Sequence, residues 1–272
     1  MCSTALIALF LALPAPAPAG TVTIPGLVEA SGLAASPRAH PGVLWTHNDG
    51  PDGRLFAVST NGTALGIWKI NAPGITDIED IAVRTTGDAE EILLADIGDN
   101  KGKRPSVRIL VVPAPVPRPP GDTLEGPALK PSAVLEFTYE DGPRDAESLA
   151  VDPATGHLLV IAKEKKTAGV YRLDPAASPA VARLIARLPL DKASGADISP
   201  DGLRLAVANG KGAWMWTRTA GEDWAAALAR DPVVLPYEPG PNGESIAWSA
   251  DGRQTFTLSE GENPVLHRGE TP

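Results

Sequence analysis

Glu29 with Ser31, Asp77 with Glu79, Asp145 with Glu147, Lys192 with Ser194 and Asn242 with Glu244 form five polar pairs, each separated by one residue. Each pair opens one recurring phrase: Glu29-Ala-Ser-Gly-Leu-Ala34, Asp77-Ile-Glu-Asp-Ile-Ala82, Asp145-Ala-Glu-Ser-Leu-Ala150, Lys192-Ala-Ser-Gly-Ala-Asp197 and Asn242-Gly-Glu-Ser-Ile-Ala247. Residues two apart on an extended strand point to the same side. If the pairs share one opening, their carboxylates repel one another and raise their own pKa values unless cations balance them. A divalent cation is the simplest such balance. Calcium suits the set, because it takes six to eight oxygen ligands in irregular geometry. Zinc prefers Cys and His at defined spacings, whereas the chain has one Cys, Cys2, and four scattered His.

Polar residues also end the apolar run that follows each phrase: His47-Asn48-Asp49, Asp96-Ile-Gly-Asp-Asn100, Lys163-Glu-Lys165, Asn209-Gly-Lys211 and Ser259-Glu-Gly-Glu262. The metal set is therefore read as Asp77, Glu79, Asp96, Asp99, Asp145, Glu147 and Glu244, and the ligand-binding set as Asn48, Asp49, Asn100, Arg104, Lys163, Asn209 and Glu260. No catalytic residue is assigned; Lys163 and His47 are the candidates, although a lone His is more often structural. Carboxylates in turns also cap nearby backbone amides without any ligand. Asp152, Asp201 and Asp251, in Gly-containing turns, are read that way.

The elements that must hold these residues follow from spacing. The second polar positions fall at 31, 79, 147, 194 and 244, giving intervals of 48, 68, 47 and 50. Periods of this length mark solenoids, propellers or arrays. Within each repeat short apolar runs alternate with Gly, Pro, Asn and Asp turns, which reads as strands of hairpins. Four strands fit most repeats. The fifth repeat runs out at Pro272, leaving Thr21–Ile24 to supply its missing strand and close a ring. The fold expected is all-β, a five-bladed β-propeller of four-stranded antiparallel blades, with six blades the alternative. Trp45, Trp68, Trp214, Trp216 and Trp248 are expected to pack between blades, and the long second interval locates a Pro-rich surface insertion at about 113–131.

Residues 1–19 are apolar and then Pro/Ala-rich, ending in Ala17-Pro-Ala19. They read as a signal peptide cut near Ala19–Gly20, leaving 20–272 as one secreted or periplasmic domain. The apolar core of that leader is too short to span a bilayer, and no later segment is a spanning candidate. A formal charge of −9 disfavours nucleic acid, whose binding rests on Lys and Arg neutralising phosphates.

The stretch Asp145-Ala-Glu-Ser-Leu-Ala-Val-Asp-Pro-Ala-Thr-Gly-His-Leu-Leu-Val-Ile-Ala-Lys-Glu164 resembles the inner hairpin of bacterial β-propeller phytases, and Ser199-Pro-Asp-Gly-Leu-Arg-Leu-Ala206 resembles the repeat of TolB-, YVTN- and WD-type propellers. Through Ser31-Gly-Leu-Ala34, Trp45-Thr-His-Asn-Asp49, Glu79-Asp-Ile-Ala82 and Asp96-Ile-Gly-Asp-Asn100 the chain is similar to secreted bacterial propeller proteins of unassigned activity. The phytase resemblance implies acidic residues binding calcium. A second resemblance, to regucalcin-like lactonases, implies one calcium acting as Lewis acid.

Three functions are open at this point. The first is a propeller that binds calcium and a polar or anionic small molecule or glycan at an acidic axial funnel. The second is a calcium-dependent hydrolase of phosphate esters or lactones, and the third a scaffold that recruits a protein. A monomer is expected in each case.

Overall fold

The computed structural model describes residues 13–238 and 240–272, so residues 1–12 of the expected leader lie outside the described residues. Strand β1 (Ala17–Thr21) precedes four consecutive four-stranded units. These are β2 to β5 (Ala30–Ala35, Val43–Asn48, Arg54–Ser59, Ala64–Lys69), β6 to β9 (Ile78–Thr86, Ala89–Asp96, Val107–Pro113, Ala133–Tyr139), β10 to β13 (Ala146–Val151, Leu158–Ala162, Ala168–Leu173, Val181–Leu188) and β14 to β17 (Gly195–Ile198, Arg204–Asn209, Gly212–Thr217, Val233–Leu235). A short helix α1 (Trp224–Leu228) interrupts the last of them, capped by the Asp223 carboxylate, which accepts from the Ala225 N–H. The chain ends with β18 (Ala247–Trp248), β19 (Gln254–Thr257) and β20 (Val265–Glu270), to which β1 is added as the fourth strand.

The repeats are antiparallel meanders because each apolar run stops at a turn that only certain residues can make. Between the first two strands of the five repeats stand Gly42, Gly87, Gly156, Gly202 and Gly252, with φ of +85°, +63°, +75°, +73° and +68°. A side chain with a β-carbon is strained there. In two of these turns Ser and Asp complete the reversal: Ser199 Oγ donates to Asp201 Oδ1 and Ser249 Oγ to Asp251 Oδ1, at 2.5 and 2.6 Å.

The first strands contact one another in cyclic order, β2 with β6, β6 with β10, β10 with β14, β14 with β18, and β18 with β2. Five hydrophobic clusters lie at the junctions between consecutive repeats, around Trp45 and Trp68, Phe137 and Tyr171, Trp216 and Leu205, Trp248 and Met215, and Phe56 and Phe256. Each fully buried large side chain contributes roughly 1.5–3 kcal/mol. The core is thus a ring of sandwiches rather than one central mass, and its middle is left to polar groups.

The closing strand differs in position from the expectation of Thr21–Ile24. It is Ala17–Thr21 that pairs with β20, Ala17 opposite Arg268 and Thr21 opposite Val265, while Val22 and Ile24 turn into the core. Alternating Thr-Val-Thr-Ile looks more strand-like than Ala-Pro-Ala-Gly, but a closing strand must sit flat against a neighbour. A β-carbon on Gly20 would lie 1.9 Å from the Asn61 carbonyl oxygen.

Outer edges are covered too. The Pro-rich insertion between β8 and β9 runs parallel along β5: Ile67 N–H donates to Leu124 O, Gly126 N–H to Ile67 O, and Leu129 N–H to Lys69 O. It therefore seals the edge of the neighbouring repeat, and Gly126 is small enough for the Trp68 indole to pack against it. The outer strands β9 and β13 meet in a two-residue parallel ladder, joining their repeats into one eight-stranded sheet.

Candidate cation site at one mouth of the ring

The starts of the first strands are not plain extended chain. Between Ile78↔Asp96 and Asp80↔Ala95 the register shifts by one residue, and the extra residue is Glu79. The same shift between Ala146↔Ala162 and Ser148↔Ile161 isolates Glu147, and one between Ala30↔Asn48 and Leu33↔Thr46 falls at Ser31 and Gly32. A bulge leaves its residue unpaired and re-aims its side chain. In the first three repeats the bulge thus falls at the second polar position of the phrase. Two contacts from these bulges lock the ring: Asp80, which follows the bulged Glu79, accepts the Leu149 N–H of the next repeat at 2.7 Å, and Ser31, within the bulge of the first repeat, donates its Oγ proton to Glu79 O at 2.7 Å.

Above this lock the carboxylates gather. Asp49, Asp77 and Glu79 each present an oxygen within 4.8 Å of the others, and Glu79, Asp145 and Glu147 do the same. Glu79 is shared by both triads and is only 4 % exposed. Burial first, then the charges of Glu147, Asp49, Asp77 and Asp145, push its pKa up to about 10. Glu147, also buried, is pushed up to about 7 by burial, with its hydrogen bond from Lys163 acting against the rise. Asp49 and Asp77 are raised by burial as well. For Lys163 burial acts downward, but the hydrogen bond to Glu147 and the charges of Glu147, Glu244 and Glu79 outweigh it and raise its pKa. Glu147 Oε2 and Asp49 Oδ1 are buried with no hydrogen-bond partner. Gly98 closes the wall: a β-carbon there would sit 2.1 Å from Glu79 Oε1 and 2.5 Å from Asp77 Oδ2.

The other expected residues lie elsewhere or are already engaged. Asp96 is fully buried between Arg104 and Arg108, both at 2.9 Å, and also accepts the Asp77 N–H. Asp99 accepts the N–H groups of Lys103 and Arg104 and so shapes its own loop. Asn48 accepts from Val28 and Glu29 and donates to Gly26 and Asp52, and Asn209 holds the turn at Lys211 and Gly212. Glu260 accepts from Asn242, Asn100 is exposed, and Glu244 lies outside both triads with its pKa raised by burial and by Glu260. His47 is wholly buried; one ring nitrogen accepts the Gly32 N–H and the other meets Asn48 O, and burial lowers its pKa to about 4. That is a neutral structural imidazole. Asp49, expected to touch ligand, stands instead within a carboxylate triad.

At the opposite end a cavity of about 1070 Å³ is lined by the hairpin turns of all five repeats, among them Arg38, Thr85, Asp152, Asp197 and Trp248. Three charges of its lining are already held in ion pairs, Asp152 with Arg218, and Arg84 with Glu91. At the carboxylate mouth, by contrast, carboxylates converge in two triads and one lysine, Lys163, is paired with them.

No known family model matches the chain, and no curated protein does. Among solved structures it is similar to the PQQ-bound aldose sugar dehydrogenase of Streptomyces coelicolor, at 16% identity over 95% of this chain and 99% of that one, with a TM-score of 0.51. It is also similar to a chain of the nidogen/laminin complex, at 15% identity over 86% of this chain and 73% of that one, again with a TM-score of 0.51. Both neighbours are propeller-like, and the likeness defines this chain as a β-propeller. No helix among the described residues is long and apolar enough to cross a membrane.

Proposed function

We propose that the carboxylate mouth holds a divalent cation, calcium by the all-oxygen character of its donors, and presents it to a polar or anionic small molecule or glycan. One observation carries the reading. Glu79 is 4 % exposed and surrounded by four like charges, and its carboxylate is reached by no hydrogen bond or ion pair among the described residues. A buried carboxylate in such company either stays protonated or meets a cation. The orphaned oxygens of Asp49 and Glu147 and the space kept open by Gly98 support the second outcome. Asp49, Asp77, Glu79, Asp145 and Glu147 would supply the ligands.

The five repeats are read as five blades, with β1 fastening the last to the first, and the chain as exported after loss of its leader. A cut at Ala19–Gly20 would leave Gly20 and Thr21 to pair with Leu266 and Val265. The test of the cation is thermal unfolding during a calcium titration, since an ion bound only by the native state raises its stability by mass action. The wild-type chain should melt several degrees higher in millimolar calcium than in EDTA, and Glu79→Gln should lose most of that rise. A calcium-insensitive wild type sinks the reading.

A further inference from the structure

Lysine is unevenly placed in this chain. Of nine lysines, seven (Lys101, Lys103, Lys163, Lys165, Lys166, Lys192 and Lys211) fall in the lips of the carboxylate mouth, and all seven belong to the second, third and fourth repeats. These lips are tied to the site: Asp99 N–H donates to Asp145 Oδ1, and Lys192 N–H to Glu164 O, at 2.8 Å each. Lys163 is spent on Glu147 and Lys211 on Asp191. Lys101, Lys103, Lys165, Lys166 and Lys192 are exposed and carry no carboxylate partner among the described residues. The lips of the fifth and first repeats hold no lysine and bear Glu29, Glu238, Glu260 and Glu262, with Asp52 paired to Arg54; the one lysine near them is Lys69, at the outer end of β5 opposite Arg54. These two lips too are joined, by Gly261 N–H donating to Val28 O at 2.8 Å. Glu140, Asp141, Glu164 and Asp191 in the lysine-bearing lips are held in ion pairs, so by unpaired lip charge the rim is divided, basic over three repeats and acidic over two.

From this division we infer that the lysine arc is a docking track for an anionic polysaccharide, a chain bearing uronate carboxylates. A protein of net charge −9 does not need five unpaired ammonium groups crowded into three adjacent lips for solubility. Their confinement beside the carboxylate mouth selects a ligand with several spaced negative charges, because a single anion would leave most of them unused. The acidic arc keeps such a chain to one side. A nucleic acid would meet the same ammonium groups, but no aromatic side chain is exposed on these lips for bases to stack on. The inference rests on the cation reading in one respect, that one uronate would take a calcium coordination position, since carboxylate oxygen is a hard ligand for that ion.

The probe is fluorescently labelled polygalacturonate, with neutral dextran and single-stranded DNA as comparisons, and binding is followed by anisotropy at several salt concentrations. Wild type should bind polygalacturonate with an affinity that falls steeply with salt, and should prefer it to both comparisons. The fourfold variant Lys101→Glu, Lys103→Glu, Lys165→Glu, Lys166→Glu should lose about tenfold or more, whereas Arg253→Glu, in an exposed hairpin turn at the opposite end of the ring, should lose nothing. The replaced side chains are exposed, so unfolding curves should coincide; Lys→Gln at the same four positions, expected to weaken binding by a smaller factor, covers the case in which four reversals disturb the fold. Unchanged affinity in both fourfold variants, salt-independent binding, or equal binding of dextran or DNA would overturn the inference. EDTA and Glu79→Gln report on the cation separately: lysine-dependent binding that survives both keeps the track and removes only the ion.

Discussion

Gly98 abuts the Glu79 carboxylate so closely that a β-carbon on it would lie 2.1 Å from Oε1. The second-to-third-strand loop of one repeat thus packs against the bulged residue of its own first strand, and the carboxylates of Asp77 and Glu79 fill the space a side chain would take. The first prediction comes from this contact. Gly98→Ala should displace both carboxylates, lower stability by about 1–3 kcal/mol as overpacked sites do, and abolish most of the calcium-dependent rise in melting temperature. Melts in EDTA and in calcium measure both effects; an alanine variant with the wild-type calcium response would show that the wall is not part of the site.

Ring closure gives the second. Gly20 lies against the Asn61 carbonyl, so Gly20→Val must push β1 off the first repeat while leaving the rest of the chain untouched. The expected loss is about 2 kcal/mol or more, with earlier proteolysis at the N-terminal strand. A chain begun at residue 20 should be destabilised relative to one begun at residue 13, because the pairing of Ala17 and Pro18 with Arg268 and His267 is gone. Equal denaturant midpoints for the two would mean that those pairs contribute nothing.

A buried ion pair joins the third and fourth repeats. Arg218 Nη2 meets Asp152 Oδ1 at 2.7 Å with the side chains 6% and 3% exposed, Nε donates to Gly202 O, and the guanidinium lies 4.4 Å over the Trp224 ring. Arg218→Ala strands the Asp152 charge and should cost about 3–5 kcal/mol. Adding Asp152→Ala should cost less than the two single losses summed, since the second change removes a charge already without its partner. Strict additivity in urea unfolding would refute the coupling.

Asp197 gives the pH prediction. Burial raises its pKa from 3.8 to about 7 against hydrogen bonds from Trp248 and Ile198. The folded state therefore binds this proton more tightly than the unfolded chain does. Its stabilising effect is complete below about pH 4 and is lost as pH rises through about 7. Asp197→Asn, which keeps an oxygen for the Trp248 N–H, should gain on the wild type by roughly 1–2 kcal/mol at pH 8, a figure reduced for partial solvent access. The two should converge near pH 4. A difference that does not change with pH would place the effect in packing instead.

Much of the architecture was legible because a propeller repeats its instructions. Each repeat carries its own apolar runs and its own positive-φ glycine, so strand order and turn positions could be read one repeat at a time. The tryptophans were legible for the same reason; Trp45, Trp68, Trp216 and Trp248 are fully buried at junctions between repeats. The closing strand was misplaced because its residues are chosen for closeness of approach, and Gly20 has no apolar pattern to announce that. The insertion was recognisable by its prolines, but nothing in residues 113–131 says that it will lie along β5.

The phrase itself determined that acidic residues would recur at the start of the first strand in four of the five repeats, the fourth carrying Lys192 and Ser194 instead. Its sequence could not say which of them remain free. Asp96 and Asp99 look no different in the chain from Asp49 and Asp77, yet arginines and loop amides occupy the first two while burial leaves Asp49 Oδ1 without a partner. That sorting depends on which groups come from other repeats, and on bulges at Glu79 and Glu147 that appear only when two strands are paired. Local chemistry is written along the chain; the balance of charge at a point where several repeats converge exists only once the ring has closed.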